Sequence, residues 1–265
     1  MAPHQPIAPP SALLLPLEGR AWLELAALVP AWPFLNRAPR GDGHPVLVLP
    51  GWMATDHSTR PLRWFLRARG YHSHGWRLGR NLGPSRATID GLVARFRELR
   101  ERHARPLSVI GWSLGGIYAR ELARRFAPEV RRVITLATPF RDVDATAVAR
   151  LFGRRPEARH EELHRRLRTP PPVPCTSFYS RSDGIVAWRS CLDDADSHGE
   201  NIEVHSSHCG MGHHPSVLLA IAERLARPAA IAASEDTNGE DTNGREAREF
   251  TSRADAHREA KPSGG

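Results

Sequence analysis

The sequence predicts an α/β fold: a mostly parallel sheet with helices on both faces and a small helical cap insertion. Three observations predict it. Short apolar runs alternate with amphipathic helical stretches between residues 46 and 226. Of these runs VLVLP (46–50) is apolar at every position, as expected of a strand covered on both faces. One of them, LSVIGW at 107–112, passes through a glycine-rich turn straight into a helical stretch.

Residues 1–16 are Pro-rich and expected to be extended or disordered. Residues 17–29 place Leu17, Trp22, Leu25, Leu28 and Val29 at three- and four-residue steps, which predicts a helix ended by Pro30 and Pro33. Residues 38–45 form a turn-rich linker. VLVLP (46–50) then reads as a strand, 58–70 as a helix stopped at Gly70, and YHSHGW (71–76) as a weaker strand. A long amphipathic helix is expected over 84–104, a strand over 107–112 and a helix over 114–127. Further strands follow at 132–138, 175–180 and 201–205, and a last helix at 214–226.

Two stretches break the alternation. Residues 141–173 lie between two strands, yet are helical in pattern, Arg-rich and Pro-terminated; an insertion there caps the C-terminal edge of the sheet. From about 228 the chain becomes polar and repeats itself as EDTNGEDTNG (235–244). It has too little apolar surface to offset its ordering entropy, so disorder is expected. The organisation is thus an N-terminal segment with one amphipathic helix (1–43), an α/β domain (44–227) and a low-complexity tail (228–265).

Composition narrows the function. No apolar run reaches the roughly 18 to 20 residues of a membrane-spanning helix. The net charge is +8, and of the 37 basic residues only Lys261 is a lysine. The arginines interleave with Glu, as at Arg97, Glu98, Arg100, Glu101 and Arg102, the pattern of a solvated helix face, so no nucleic-acid partner is expected. No signal peptide is recognised, because the apolar run 12–17 is short, broken by Pro16 and preceded by no Lys or Arg. A cytoplasmic location is expected. For the helix over 17–29, packing against the domain is preferred to contact with a lipid surface. The three cysteines form no metal-type spacing. Cys191 and Cys209 flank the last strand, where a disulfide would brace the following loop; the plainer reading is free, buried thiols.

GWSLG (111–115), followed by Gly116, fits the G-x-S-x-G pattern between a strand and a helix. A serine on so sharp a turn needs small residues two before and two after it, here Gly111 and Gly115. The helix start aims free N–H groups at the same place. Ser113 is therefore the candidate nucleophile, and it needs a base. An acid after a later strand and a histidine after the last one complete such a set. Asp183, in SDG after CTSFYS, is the preferred acid; Asp193, Asp194, Asp196, Asp142 and Asp144 are rivals. His208, in the loop directly after NIEVH, is the preferred base among His198, His205, His208, His213 and His214. The backbone N–H of Leu114 and that of Trp52, with Met53 next, are the candidate oxyanion donors. Trp52, Met53, Trp112 and Phe140 are expected to ring a pocket.

PGW after the first strand, GWSLGG, and the order of Ser113, SDG and SSH resemble the bacterial lipase/esterase-like members of the α/β-hydrolase superfamily, over roughly residues 44–227. The chain departs from many lipases in carrying Pro50-Gly51 where they have His-Gly. The resemblance implies Ser113, Asp183 and His208 as a triad, Trp52 and Leu114 as oxyanion donors, and no metal or organic cofactor. It implies hydrolysis of a small-molecule or lipid ester. An acyltransferase on the same triad, or a non-catalytic binding protein on the scaffold, is the alternative.

Overall fold

The computed structural model describes residues 6–151, 165–194 and 199–228. Its sheet consists of β1 (Pro45–Leu49), β2 (His72–Gly75), β3 (Leu107–Trp112), β4 (Val130–Leu136), β5 (Cys175–Tyr179) and β6 (Gly199–Glu203). All neighbours are parallel, in the order β2-β1-β3-β4-β5-β6. Leu49 is paired with Gly111, Trp112 with Leu136, Leu136 with Phe178 and Phe178 with Ile202. The strands therefore end level, and the loops that leave them gather at one edge.

The helices are α1 (Ala21–Ala26), α2 (Leu28–Leu35), α3 (Arg60–Ala68), α4 (Arg86–His103), α5 (Leu114–Arg125), α6 (Ala147–Leu151) and α7 (Pro215–Leu225). Strand side chains alternate between two cores, as the period of a strand requires. Val46, Val48, Ile110, Ile134 and Phe178 pack with Leu62, Phe65 and Leu66 of α3 and with Val217, Leu218 and Ile221 of α7. Leu47, Leu49, Leu107, Val109 and Val133 pack with Leu92, Phe96 and Leu99 of α4 and with Tyr118, Ala119 and Leu122 of α5. Each such side chain, fully buried, contributes roughly 1.5 to 3 kcal/mol of hydrophobic free energy. Burial on both faces explains why β1 is apolar throughout and β3 is apolar apart from Ser108, whose hydroxyl meets His44 Nε2 at 2.9 Å.

The N-terminal segment differs from expectation. A 3₁₀ turn, Ala12–Arg20, precedes α1, and the helical stretch breaks at Ala27. Pro30 and Pro33 lie inside α2 rather than ending it. The reason is local: Pro30 has no N–H to give the carbonyl of Ala26, so the ladder parts one residue later, and its fixed φ suits the first turn of the new helix. The segment packs on the domain through polar contacts and through α2, where Leu28, Ala31, Trp32 and Leu35 lie against the core and Trp32 stacks on Trp64, while Leu13, Trp22, Leu23, Val29 and Phe34 face outward. No helix of the described residues is long and apolar enough to cross a membrane. The middle of the expected cap insertion (152–164) and nearly all of the expected tail (229–265) lie outside the described residues.

Candidate active site

Ser113 joins β3 to α5 with φ 51° and ψ −121°, a conformation that costs a non-glycine residue on the order of 1 to 3 kcal/mol. Close packing makes the two flanking glycines obligatory. A Cβ at Gly111 would collide with the carbonyl of Gly115, and one at Gly115 would come within 2.5 Å of the Leu49 carbonyl oxygen. The Ser113 N–H is held by the carbonyl of Leu136 at 2.8 Å. The turn is thus clamped between β1 and β4, with the serine half-buried above them.

Asp183 and His208 meet at this edge. His208 Nδ1 lies 2.8 Å from Asp183 Oδ2. The other carboxylate oxygen, Oδ1, accepts the backbone N–H groups of Ile185 at 2.8 Å and Val186 at 2.7 Å. Both residues are buried. Burial opposes charging the His208 ring, but the charge of Asp183, its hydrogen bond and the charge of Glu18 outweigh burial and raise the imidazole above the ordinary histidine range. With Nδ1 committed to Asp183, Nε2 is the ring nitrogen left for proton exchange.

The rival residues are occupied elsewhere. Asp142 accepts the N–H groups of Ile7 and Asp144, holding the loop after β4. Asp193 pairs with Arg120, and Asp194 with Arg141. His213 Nε2 lies 2.9 Å from the carbonyl of Ala21, and His214 caps α7 by accepting from Ser216. Burial lowers both of those imidazoles. His205 is exposed. Asp196 and His198 lie outside the described residues.

The loop after β1 runs beside the serine, with Gly51 next to Ser113. Met53, in a left-handed conformation, gives its N–H to the carbonyl of Asn81 at 2.7 Å. Among the described residues no acceptor takes the N–H of Trp52 or of Leu114. Trp52 and Met53 are exposed at this loop, whereas Trp112 and Phe140 are buried. Trp112 lies in the core, and Phe140 is buried with the Arg120 guanidinium 3.8 Å above its ring. The negative face of the Phe140 ring attracts this buried guanidinium.

Three residues of the site were not visible in the sequence. Buried Asn81 gives its side-chain N–H to the carbonyl of Pro50 at 2.9 Å and fixes the loop that carries Trp52. Glu18 accepts the N–H groups of Gly184, His208 and Cys209 at 2.9, 3.0 and 2.9 Å. Glu24, buried, accepts both the N–H and the hydroxyl of Ser207. Cys191 and Cys209 are not linked: both are free, Cys191 being buried in a short turn, as the plainer reading had it, and Cys209 exposed. Burial pushes the Cys191 thiol well up, which keeps it protonated. Among the described residues no group of three or more His, Cys, Asp or Glu is arranged to hold a metal ion.

No protein-family model matches the chain, and no curated protein matches it in sequence. Solved structures do resemble it. One of the metagenome-derived lipolytic enzymes LipS and LipT aligns with a TM-score of 0.53 at 16% identity, over 71% of this chain and 93% of that one. The mature lipase BlEst2 of Bacillus licheniformis aligns with a TM-score of 0.53 at 14% identity, over 72% of this chain and 95% of that one. The pyrethroid hydrolase PytH aligns with a TM-score of 0.52 at 16% identity, over 71% and 99%. Parallel strands in the order β2-β1-β3-β4-β5-β6, a strained serine between β3 and α5, and these likenesses identify the chain as an α/β-hydrolase fold.

Proposed function

We propose that the chain is a serine hydrolase of carboxylic esters. The observation that carries the reading is the buried hydrogen bond from His208 Nδ1 to Asp183, at the same sheet edge as the strained Ser113. In this reading Ser113 Oγ attacks the ester carbonyl while His208 Nε2 takes its proton. Asp183 keeps the imidazole in the tautomer that leaves Nε2 free and stabilises the imidazolium that forms. The N–H groups of Trp52 and Leu114 receive the negative charge that develops on the carbonyl oxygen. His208 then protonates the leaving alcohol, and water, activated by the same ring, releases the acid from Ser113. The lipolytic and esterolytic enzymes among the structural neighbours support the same chemistry. Exposed Trp52 and Met53 offer an apolar contact for the substrate beside the serine.

The test is labelling with a fluorophosphonate probe, together with hydrolysis of p-nitrophenyl esters. Wild-type protein is labelled at Ser113. Ser113→Ala is not labelled, and its kcat falls by roughly 10⁴ to 10⁶ with unchanged circular dichroism. Ester hydrolysis at the wild-type rate by a folded Ser113→Ala protein would sink the reading, as would a wild-type protein that takes no label.

A further inference from the structure

We infer that Glu18 is a positioning residue for the base, and that the N-terminal segment is thereby part of the catalytic apparatus. The inference rests on the hydrolase reading of Ser113, Asp183 and His208. Glu18 sits in the 3₁₀ turn before α1, more than 160 residues from the loops it holds. One of its oxygens accepts from Gly184, directly after the acid, and from the N–H of the base itself; the other accepts from Cys209. A single carboxylate therefore ties the Asp183 loop to the His208 loop across the space between β5 and β6. Two neighbours reinforce the clamp. Arg20 donates to the carbonyl and hydroxyl of Ser182, directly before the acid, and Glu24 takes Ser207, directly before the base. The three side chains grip residues 182, 184, 207, 208 and 209 and leave the reactive side chains to each other.

Charge adds to the geometry. Glu18 stands near an imidazole that becomes a cation in the reaction, and it favours that form as Asp183 does. Charge-assisted hydrogen bonds to backbone N–H groups are the strong kind, so the loops are held in advance of substrate binding. The groups facing His208 are Asp183 from the loop after β5, Glu18 from the N-terminal turn and, one residue back through Ser207, Glu24. His213 faces Ala21, and Arg20 is engaged by Glu24 and Ser182.

Glu18→Gln tests this. Gln keeps the size, loses the charge and sets an amide N–H against a backbone N–H. The expected result is a loss in kcat on the order of 10- to 100-fold with KM nearly unchanged. The acid limb of kcat/KM moves to lower pH, because the imidazole loses a neighbouring anion. A Glu18→Gln protein with wild-type kcat and an unmoved limb overturns the inference. If Glu18→Gln does not fold, Arg20→Leu replaces it: released from Ser182, the segment loosens and kcat falls while KM holds, and an unchanged kcat overturns the proposal. Labelling of Ser113 in the wild type separates the two failures. No label refutes the hydrolase reading itself, whereas a label with an indifferent Glu18 refutes only this inference.

Discussion

The indole N–H of Trp112 donates to the backbone carbonyl of His208 at 3.1 Å, in the interior of the protein. Trp112 immediately precedes Ser113, so the last residue of β3 reaches across the sheet edge to hold His208, the proposed base. Trp112→Phe keeps most of the ring and removes the donor. The buried His208 carbonyl then lacks that partner, which costs roughly 1 to 3 kcal/mol. We expect a lower urea midpoint and a kcat reduced on the order of tenfold with KM little changed. Wild-type kcat in Trp112→Phe would show that this bond does not set the position of the base.

Arg120 and Asp193 make a second buried link, between α5 and the loop before β6. Both side chains are fully buried, and Nη1 lies 2.9 Å from Oδ1 and 3.0 Å from Oδ2. Ser177 of β5 also donates to Asp193. Removing one charge strands the other in the interior. Asp193→Leu should therefore destabilise the protein by roughly 3 to 5 kcal/mol. Arg120→Met with Asp193→Leu should recover much of that loss, since no lone charge remains. Chemical unfolding of the two variants decides it; equal loss in both means the pair itself, and not the stranded charge, matters.

How much of this was legible in the sequence follows from what each residue touches. β1 and β3 were legible because packing on both faces leaves every position of β1 apolar and every position of β3 but Ser108. Ser113, Asp183 and His208 were legible because a turn's chemistry and a place after a strand are local properties. Asp193 was read only as a rival acid, since nothing near it in sequence announces Arg120, 73 residues away. Glu18 and Glu24 were invisible for a stronger reason. They act on backbone N–H groups, which every non-proline residue carries, so no partner residue type marks the pairing. The break at Ala27 was missed because a proline was read as an ending when it also suits a first turn.

His74 and His103 predict a loss of stability in acid. Their Nε2 atoms are 2.8 Å apart, so one ring must stay neutral to accept from the other. Burial, then the charges of His103 and nearby arginines, push His74 down to about 4, and burial also lowers His103. An unfolded histidine takes a proton near pH 6.5. Between those values the unfolded chain binds more protons than the folded one, so stability falls as pH drops from about 6.5 towards 4 and the loss levels off below. Urea midpoints across that range measure it. His74→Gln cannot take up a proton and should flatten the slope; an unaltered slope would assign the effect to other groups.

The sharpest prediction concerns Asp183→Asn. Two backbone N–H groups, of Ile185 and Val186, point at one carboxylate oxygen, and His208 Nδ1 meets the other. An asparagine must place its carbonyl oxygen on the two N–H groups, because its amide would face them donor to donor. Its NH₂ is then turned to His208, which can accept only at an unprotonated Nδ1. The ring is forced into the tautomer with its proton on Nε2, the nitrogen that has to receive the proton of Ser113. The fold survives, since the bonds to Ile185 and Val186 are kept, but kcat should fall on the order of 10⁴. Asp142→Asn, which alters a loop held by Ile7 and Asp144 away from the histidine, should leave kcat within a few-fold of wild type. His208→Ala should be nearly as damaging as Ser113→Ala, whereas His213→Ala loses a contact with Ala21 and little activity. Ester hydrolysis rates of these five variants, each with its circular dichroism spectrum, check the assignment. Asp183→Asn with wild-type activity, or His213→Ala without any, would move the acid or the base to another residue.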